Sequence, residues 1–439
     1  MNIIKTIFHD FRDSSAADWP NISVAERVAW VVFCFACVQL AFLAPYFVLI
    51  PQEESKLFSG VVCTAALLLA WVAQIWRPTA LKRSEMVISA VLAVLAVMSA
   101  LFSATPETAS PRTFVVLASS LGGFWCARIL VVSETTRRFF RSYCSIILAL
   151  VLILCGVSYV LRGSIYELLD TNPHPLADRI LLLWFAPLAV LLDKRVTTRF
   201  VPWLLMILSY LVFYLMALRS LLLAPAALAV VVLFSRVLRL KYVLLISAAI
   251  GLSVAYYFAT APTDKQFRAG TIPIFYRAEN YFFSLHIVLK HPLLGIGLTS
   301  PRDEFLKDYV IKYPYITKGQ FAAEVKHVGV SENLFLTFLA ELGIPFSLMY
   351  TFSLGIILFR LIRMTIQRGP SQALHPLALL LPLVGGLIHY MVWDGPLHPQ
   401  SSWFFHLLLG LAAGSWDKSR ATKPSNESLD RTNDLAYGT

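Results

Sequence analysis

Apolar and polar residues alternate along this chain in long blocks. Twelve apolar runs, at about 28–50, 57–75, 86–103, 113–132, 143–161, 177–192, 200–218, 221–235, 242–260, 334–359, 373–393 and 401–416, are separated by polar stretches that are mostly short. A helix rises about 1.5 Å per residue, so about 20 apolar residues cross the roughly 30 Å of hydrocarbon in a bilayer. The pattern therefore predicts an all-α, polytopic membrane protein with about 12 transmembrane helices. It divides the chain into a polar N-terminus (1–27), helices one to nine (28–260), a long loop (261–333), helices ten to twelve (334–416) and a polar tail (417–439).

Composition agrees with the pattern. Hydrophobic residues make up 58% and charged residues 14%, with a mean hydropathy of +0.68. That is too apolar for a water-facing surface, which excludes a soluble enzyme, a disordered scaffold and a secreted disulfide protein. The net charge of +11 raises the question of a nucleic-acid partner, and its placement answers it. With a cytoplasmic N-terminus, 22 of the 37 Lys and Arg fall in cytoplasmic segments, against 5 in the short connections opposite (Lys56, Arg112, Arg162, Arg179 and Arg219). This bias follows the positive-inside rule and sets both termini in the cytoplasm. The basicity is then mainly a topology signal, and no nucleic acid is expected. Arg128, near the inner end of segment four, is expected to snorkel to the interface.

All six cysteines fall in the apolar runs. Cys34-Phe-Ala-Cys37 has redox-motif spacing but lies in an apolar helix, so core packing is the expectation. The polar stretch 1–25 followed by a long first run predicts a retained first helix without a signal peptide. Trp71, Trp76, Trp203 and Trp403 read as interfacial belt residues. His389 and His406, inside runs eleven and twelve, read as hydrogen-bonded packing residues.

The loop 261–333 differs in composition, with 9 Lys and Arg, 7 Asp and Glu and three of the nine histidines. Loops of this length are uncommon in compact proteins and usually functional. Tyr276–Lys290 predicts an amphipathic helix, Pro292 ends it, and Gly295 and Gly297 mark a tight turn. A second helix is expected from near Ser331 through Leu342, with Gly343 and Pro345 breaking or kinking it. Two arginines stand out at the outer boundary. Arg219 follows run seven with almost no polar linker, either snorkelling to lipid head groups or facing a cavity as an anion clamp. Arg277 opens the loop's helix, and paired guanidinium forks suit diphosphate oxygens.

These features occur together with the stretch Ser331-Glu-Asn-Leu-Phe-Leu and Glu341-Leu-Gly-Ile. The chain resembles the bacterial O-antigen ligases and the related O-antigen and exopolysaccharide polymerases. The matching features are Arg219 after a membrane helix, Arg277 before His291-Pro-Leu-Leu-Gly-Ile-Gly, and the Asn-x-x-Leu stretch leading to Glu-x-Gly-Ile. The resemblance covers roughly residues 200–360. It implies transfer of a glycan from a polyprenyl-diphosphate carrier to an acceptor hydroxyl at the periplasmic face of the bacterial inner membrane. A ligase would use lipid A-core as acceptor, and a polymerase another lipid-linked glycan.

By this resemblance Arg219 and Arg277 bind the diphosphate of the polyprenyl-diphosphate-linked glycan donor, whose lipid lies among apolar helices. One departure concerns the base. The family's His immediately before the Asn is Glu332 here, and His327 is the nearest histidine, so Glu332 and His327 are alternative bases. Asp394 and His398, in the last outer turn, are candidate acceptor contacts. No Asp-x-Asp signature is present, Glu53-Glu54 reads as a solvated turn, and neither metal nor cofactor is expected. A twelve-helix secondary transporter is the rival class. Its usual two similar halves and central inner loop are not visible in this pattern.

Overall fold

A computed structural model describes residues 23–42, 52–76, 81–166, 168, 173–193, 196, 199–216, 271–298, 309, 333–367, 374–391, 393 and 395–421, apart from the side chains of 52–53, 271–279 and 417–421. Among these residues every regular element is helical. The helices are α1 (Val24–Ala41), α2 (Gln52–Trp76), α3 (Arg83–Leu101), α4 (Pro106–Leu130), α5 (Glu134–Arg162), α6 (Pro173–Leu183), α7 (Phe185–Leu192), α8 (Phe200–Leu215), α9 (Thr271–Lys290), α10 (Leu334–Gln367), α11 (Pro376–Tyr390) and α12 (Pro399–Ala421). A 3-10 turn, Gly395–Leu397, precedes α12. Among the described residues, seven spans are long and apolar enough to cross a membrane: α1 to α5, α6 with α7, and α10. α8 and α11 are shorter apolar helices. The protein is an all-α polytopic membrane protein. The expected runs 221–235 and 242–260 lie outside the described residues.

Several helices extend beyond the apolar run that announced them. α5 begins at Glu134, nine residues before its run, because Ser133 caps it by accepting from the Thr136 N–H at 3.0 Å. The sixth span divides into α6 and α7 at Trp184. Pro187 has no N–H for the Leu183 carbonyl, so the ladder breaks there and α6 ends at Leu183.

The core forms where α12 lies along α4, with α2, α3 and α6 around them. Glycines permit this approach. A Cβ at Gly123 would meet the Trp403 backbone and stand 3.1 Å from the Leu407 nitrogen, and one at Gly410 would meet the Phe124 carbonyl. Trp403 fills the centre of the bundle, fully buried, with its indole N–H donating to Cys37 Sγ at 3.4 Å. It is therefore a core residue rather than a belt residue. Trp76 and Trp203 are exposed, as a belt position requires, whereas Trp71 packs on Trp125 with centroids 5.2 Å apart. Cys34 and Cys37 carry free thiols, with Cys37 buried in the core cluster.

Two buried arginines pair with carboxylates. Arg128 is 3% exposed and its Nε donates to Glu85 at 3.1 Å, so it does not snorkel. Arg141 and Asp193 form a buried pair at 2.8 Å. Arg179, read above as part of a short connection, is fully buried within α6. It donates to the Pro175 carbonyl at 3.0 Å and to the Ala41 carbonyl at 2.7 Å. Helix dipoles leave orphan carbonyls at C-terminal ends, and Ala41 is the last residue of α1, so a buried guanidinium satisfies one there. Glu53 and Glu54 belong to the first turn of α2 rather than to a loop, with Glu54 exposed.

Candidate functional site

The loop helix is present as α9 and starts at Thr271, five residues before the expected Tyr276. Asn280, Phe283, Ser284, Ile287 and Val288 are buried on one stripe, while the apolar Phe282, Leu285 and Leu289 are exposed on the other, so the helix is apolar on both faces rather than amphipathic as expected. The turn after it uses Gly295 and Gly297 at φ 65° and 89°, where a side chain would be strained.

That turn docks into a break in α10, and the break follows from sequence. Pro345 lacks the N–H that would bond the Glu341 carbonyl four residues earlier, and Gly343 adopts φ 84° and ψ 170°. The Ile344 N–H turns away from the ladder and donates to the Pro292 carbonyl at 2.8 Å. The carbonyls of Ala340 and Glu341 are thereby released. Ile296 N–H donates to the first at 3.1 Å and Gly297 N–H to the second at 2.9 Å. Ser99 of α3 adds a hydroxyl bond to the Glu341 carbonyl at 2.7 Å. The two motifs, forty residues apart in sequence, thus form one backbone unit in which each satisfies groups the other leaves open.

A second junction gathers three helix ends. Asn333 caps α10, its Oδ1 accepting from the Phe335 and Leu336 N–H groups at 3.1 and 3.2 Å. Its Nδ2 donates to the Met391 carbonyl at 3.2 Å, and the Tyr281 hydroxyl of α9 donates to the same carbonyl at 2.9 Å. Met391 closes α11, so its carbonyl is an orphan that accepts both. Arg277 stands one helical turn before Tyr281 in α9, its side chain outside the described residues. Arg219, His327, Glu332 and Asp394 also lie outside them.

His398 is described and half-buried, stacked on Trp393 with centroids 4.9 Å apart. Trp393 also stacks on His174 at 4.6 Å, and His174 on His389 at 5.3 Å. Fully buried Asp178 stands behind them, Oδ1 3.6 Å from His389 Nε2 and Oδ2 accepting from the Ser401 hydroxyl at 2.9 Å. His389 and His406 hold packing positions as expected: His406 contacts the Tyr350 hydroxyl at 3.2 Å and the Ser402 carbonyl at 2.7 Å. The buried Asp178 and His174 beside it were missed in the sequence, where His389 reads only as a packing residue. The available signal was Asp178-Arg179, a charged pair at the start of an apolar run. Among the described residues no group of three or more His, Cys, Asp or Glu is arranged to hold a metal ion.

An apolar cavity of about 280 Å³ runs between α3, α4, α10 and α12. Leu298 and Leu342 line it beside the interlocked turn, and Glu85 and Arg360 line it near the opposite ends of α3 and α10. Most of its remaining wall is aliphatic or aromatic, including Leu92, Leu117, Phe124 and Phe346.

Residues 180–351 match the family model described as O-antigen ligase. Over this stretch, less than half of its length, the chain is similar to the O-antigen ligase family. The match spans the end of α6, the helix α9, the glycine turn and the break in α10, and it takes in Arg219, Arg277, His327 and Glu332. His389, Asp394 and His398 fall beyond it. No curated protein matches the chain. The similarity to the family supports a glycosyl-transfer function of ligase type.

Proposed function

We propose that the protein transfers a glycan from a polyprenyl-diphosphate carrier to an acceptor hydroxyl at the periplasmic face of the inner membrane, with lipid A-core as the acceptor. The observation that carries this reading is the apolar cavity ending against the interlocked turn. An isoprenoid tail requires an apolar channel inside the bundle, and its diphosphate must emerge beside cationic groups. The cavity reaches Leu298 and Leu342 at the turn, and α9, which carries Arg277, packs on α10 there.

In this mechanism Arg219 and Arg277 bind the diphosphate through paired hydrogen bonds and stabilise its growing charge as the anomeric C–O bond breaks. Glu332, next in the chain to the Asn333 cap, takes the proton of the acceptor hydroxyl as its oxygen attacks the anomeric carbon; His327 is the alternative base. Diphosphate leaves without needing a proton donor. No metal takes part, and Asp394 and His398 contact acceptor sugars. Extension of lipid-linked repeats by a polymerase is the second reading, favoured by the Glu in place of the family's His.

Deletion of the gene, followed by gel analysis of surface polysaccharide, tests the proposal. Polymer left unattached to lipid A-core is the expected result. Caps of a single repeat would transfer the assignment to a polymerase, and an unchanged pattern would overturn both.

A further inference from the structure

Arg360 and Arg363 occupy neighbouring turns of α10, and both guanidinium groups lie over the Trp416 ring of α12, at 5.9 and 6.0 Å from its centroid. Like charges on adjacent turns repel each other. One indole face offsets only part of that, since a cation–π contact at such a distance contributes weakly when exposed. Other arginines on nearby helices have carboxylate partners: Arg128 with Glu85, Arg138 with Glu134 at 3.6 Å, and Arg141 with Asp193. Among the described residues, Arg360 and Arg363 have no carboxylate within ion-pair distance.

A groove of about 400 Å³ leads to these arginines along the surface of α10. Phe352 and Phe359 form its apolar sides, 69% and 66% exposed, and Ile356 lines it between them. Gly355 leaves it open, since a Cβ there would meet nothing within 4 Å. An apolar trough one helix turn above two guanidinium groups, neither with a carboxylate partner among the described residues, complements a molecule with an acyl chain and an anionic phosphate.

We propose that this groove binds an anionic phospholipid, with the phosphodiester between Arg360 and Arg363 and one acyl chain along Phe352, Gly355 and Phe359. Basic pockets between membrane helices recognise lipid head groups through this combination of charge and apolar surface. The site is separate from the transfer site and does not depend on the transfer reading.

Native mass spectrometry of the full-length protein in detergent, titrated with phosphatidylglycerol or phosphatidylcholine, tests it. The wild type is expected to retain phosphatidylglycerol preferentially. Arg360→Gln with Arg363→Gln should weaken that retention roughly 30-fold, two surface charges' worth. Gly355→Leu fills the trough and keeps both arginines, so it should reduce retention while leaving helicity and elution volume unchanged. Equal retention by wild type and either variant would overturn the proposal. Full displacement by inorganic phosphate at matched ionic strength would also overturn it, by showing an anion site with no lipid specificity. A wild type that elutes as a dimer, with a monomeric double-Gln variant, would assign the groove to a second copy of the chain instead.

Discussion

Gly343→Ala tests the interlock on which the site is built. The substitution leaves the apolar character of α10 unchanged and adds one methyl group. At φ 84° and ψ 170° that methyl sits in a backbone region open essentially to glycine, at a cost of about 1–3 kcal/mol. It would also meet the Leu293 carbonyl oxygen, with the Leu293 carbon at 2.6 Å and the Leu294 nitrogen at 2.8 Å. These are backbone atoms, so no rotamer change relieves the clash. The turn must withdraw, and the bonds Ile296 to Ala340, Gly297 to Glu341 and Ile344 to Pro292 go with it. At about 0.5–1.5 kcal/mol each, the total loss is roughly 3–7 kcal/mol. Gly163→Ala is the control, because Gly163 also has a positive φ of 70° but open space around its Cβ position. Its cost should stay near 1 kcal/mol. In thermal unfolding in detergent, Gly343→Ala should lower the midpoint by about 3–8 °C and Gly163→Ala by only about 1 °C. Equal midpoints for the two variants, with normal surface polysaccharide, would refute the reasoning.

Asn333→Ala removes the α10 cap and the bond to Met391, so it should cost about 1–3 kcal/mol in the same melt and reduce transfer in cells. Asp193→Asn leaves Arg141 without its buried charge partner and should destabilise by about 3–5 kcal/mol, read as loss of folded protein on extraction. Arg277→Lys keeps the charge but loses the fork, so complementation of a deletion strain should fall at least tenfold while expression holds. Glu332→Gln should abolish complementation if Glu332 is the base; full activity there, with loss in His327→Ala, would reassign the role.

The spans were legible because a membrane selects for runs of apolar residues, and α9 and its turn because Pro292, Gly295 and Gly297 restrict the backbone locally. The docking of that turn was not. The sequence shows that Pro345 and Gly343 free two carbonyls, but it does not show that Ile296 and Gly297 supply the donors. Burial of charge was equally hidden. Arg128 and Arg179 have the composition of interfacial residues, and only the tertiary structure places Glu85 and the Ala41 carbonyl beside them. Trp403 was misread for the same reason, since an aromatic ring suits both an interface and a core. The Asp178, His174 and His389 cluster joins helices about two hundred residues apart, which no local pattern records. Arg277 and the Asn333 stretch were singled out by motif, and the structure adds that their helices meet at the Met391 carbonyl.

The central claim is glycan transfer from a lipid diphosphate, and the most direct measurement is made on purified protein. Reconstituted with a polyprenyl-diphosphate-linked glycan and lipid A-core, in the presence of a metal chelator, it should form the glycan–core product and release polyprenyl diphosphate in equal amounts. The Arg277→Ala protein should form neither. Absence of product with folded wild type, or product formation that ceases only on adding the chelator, would contradict the account.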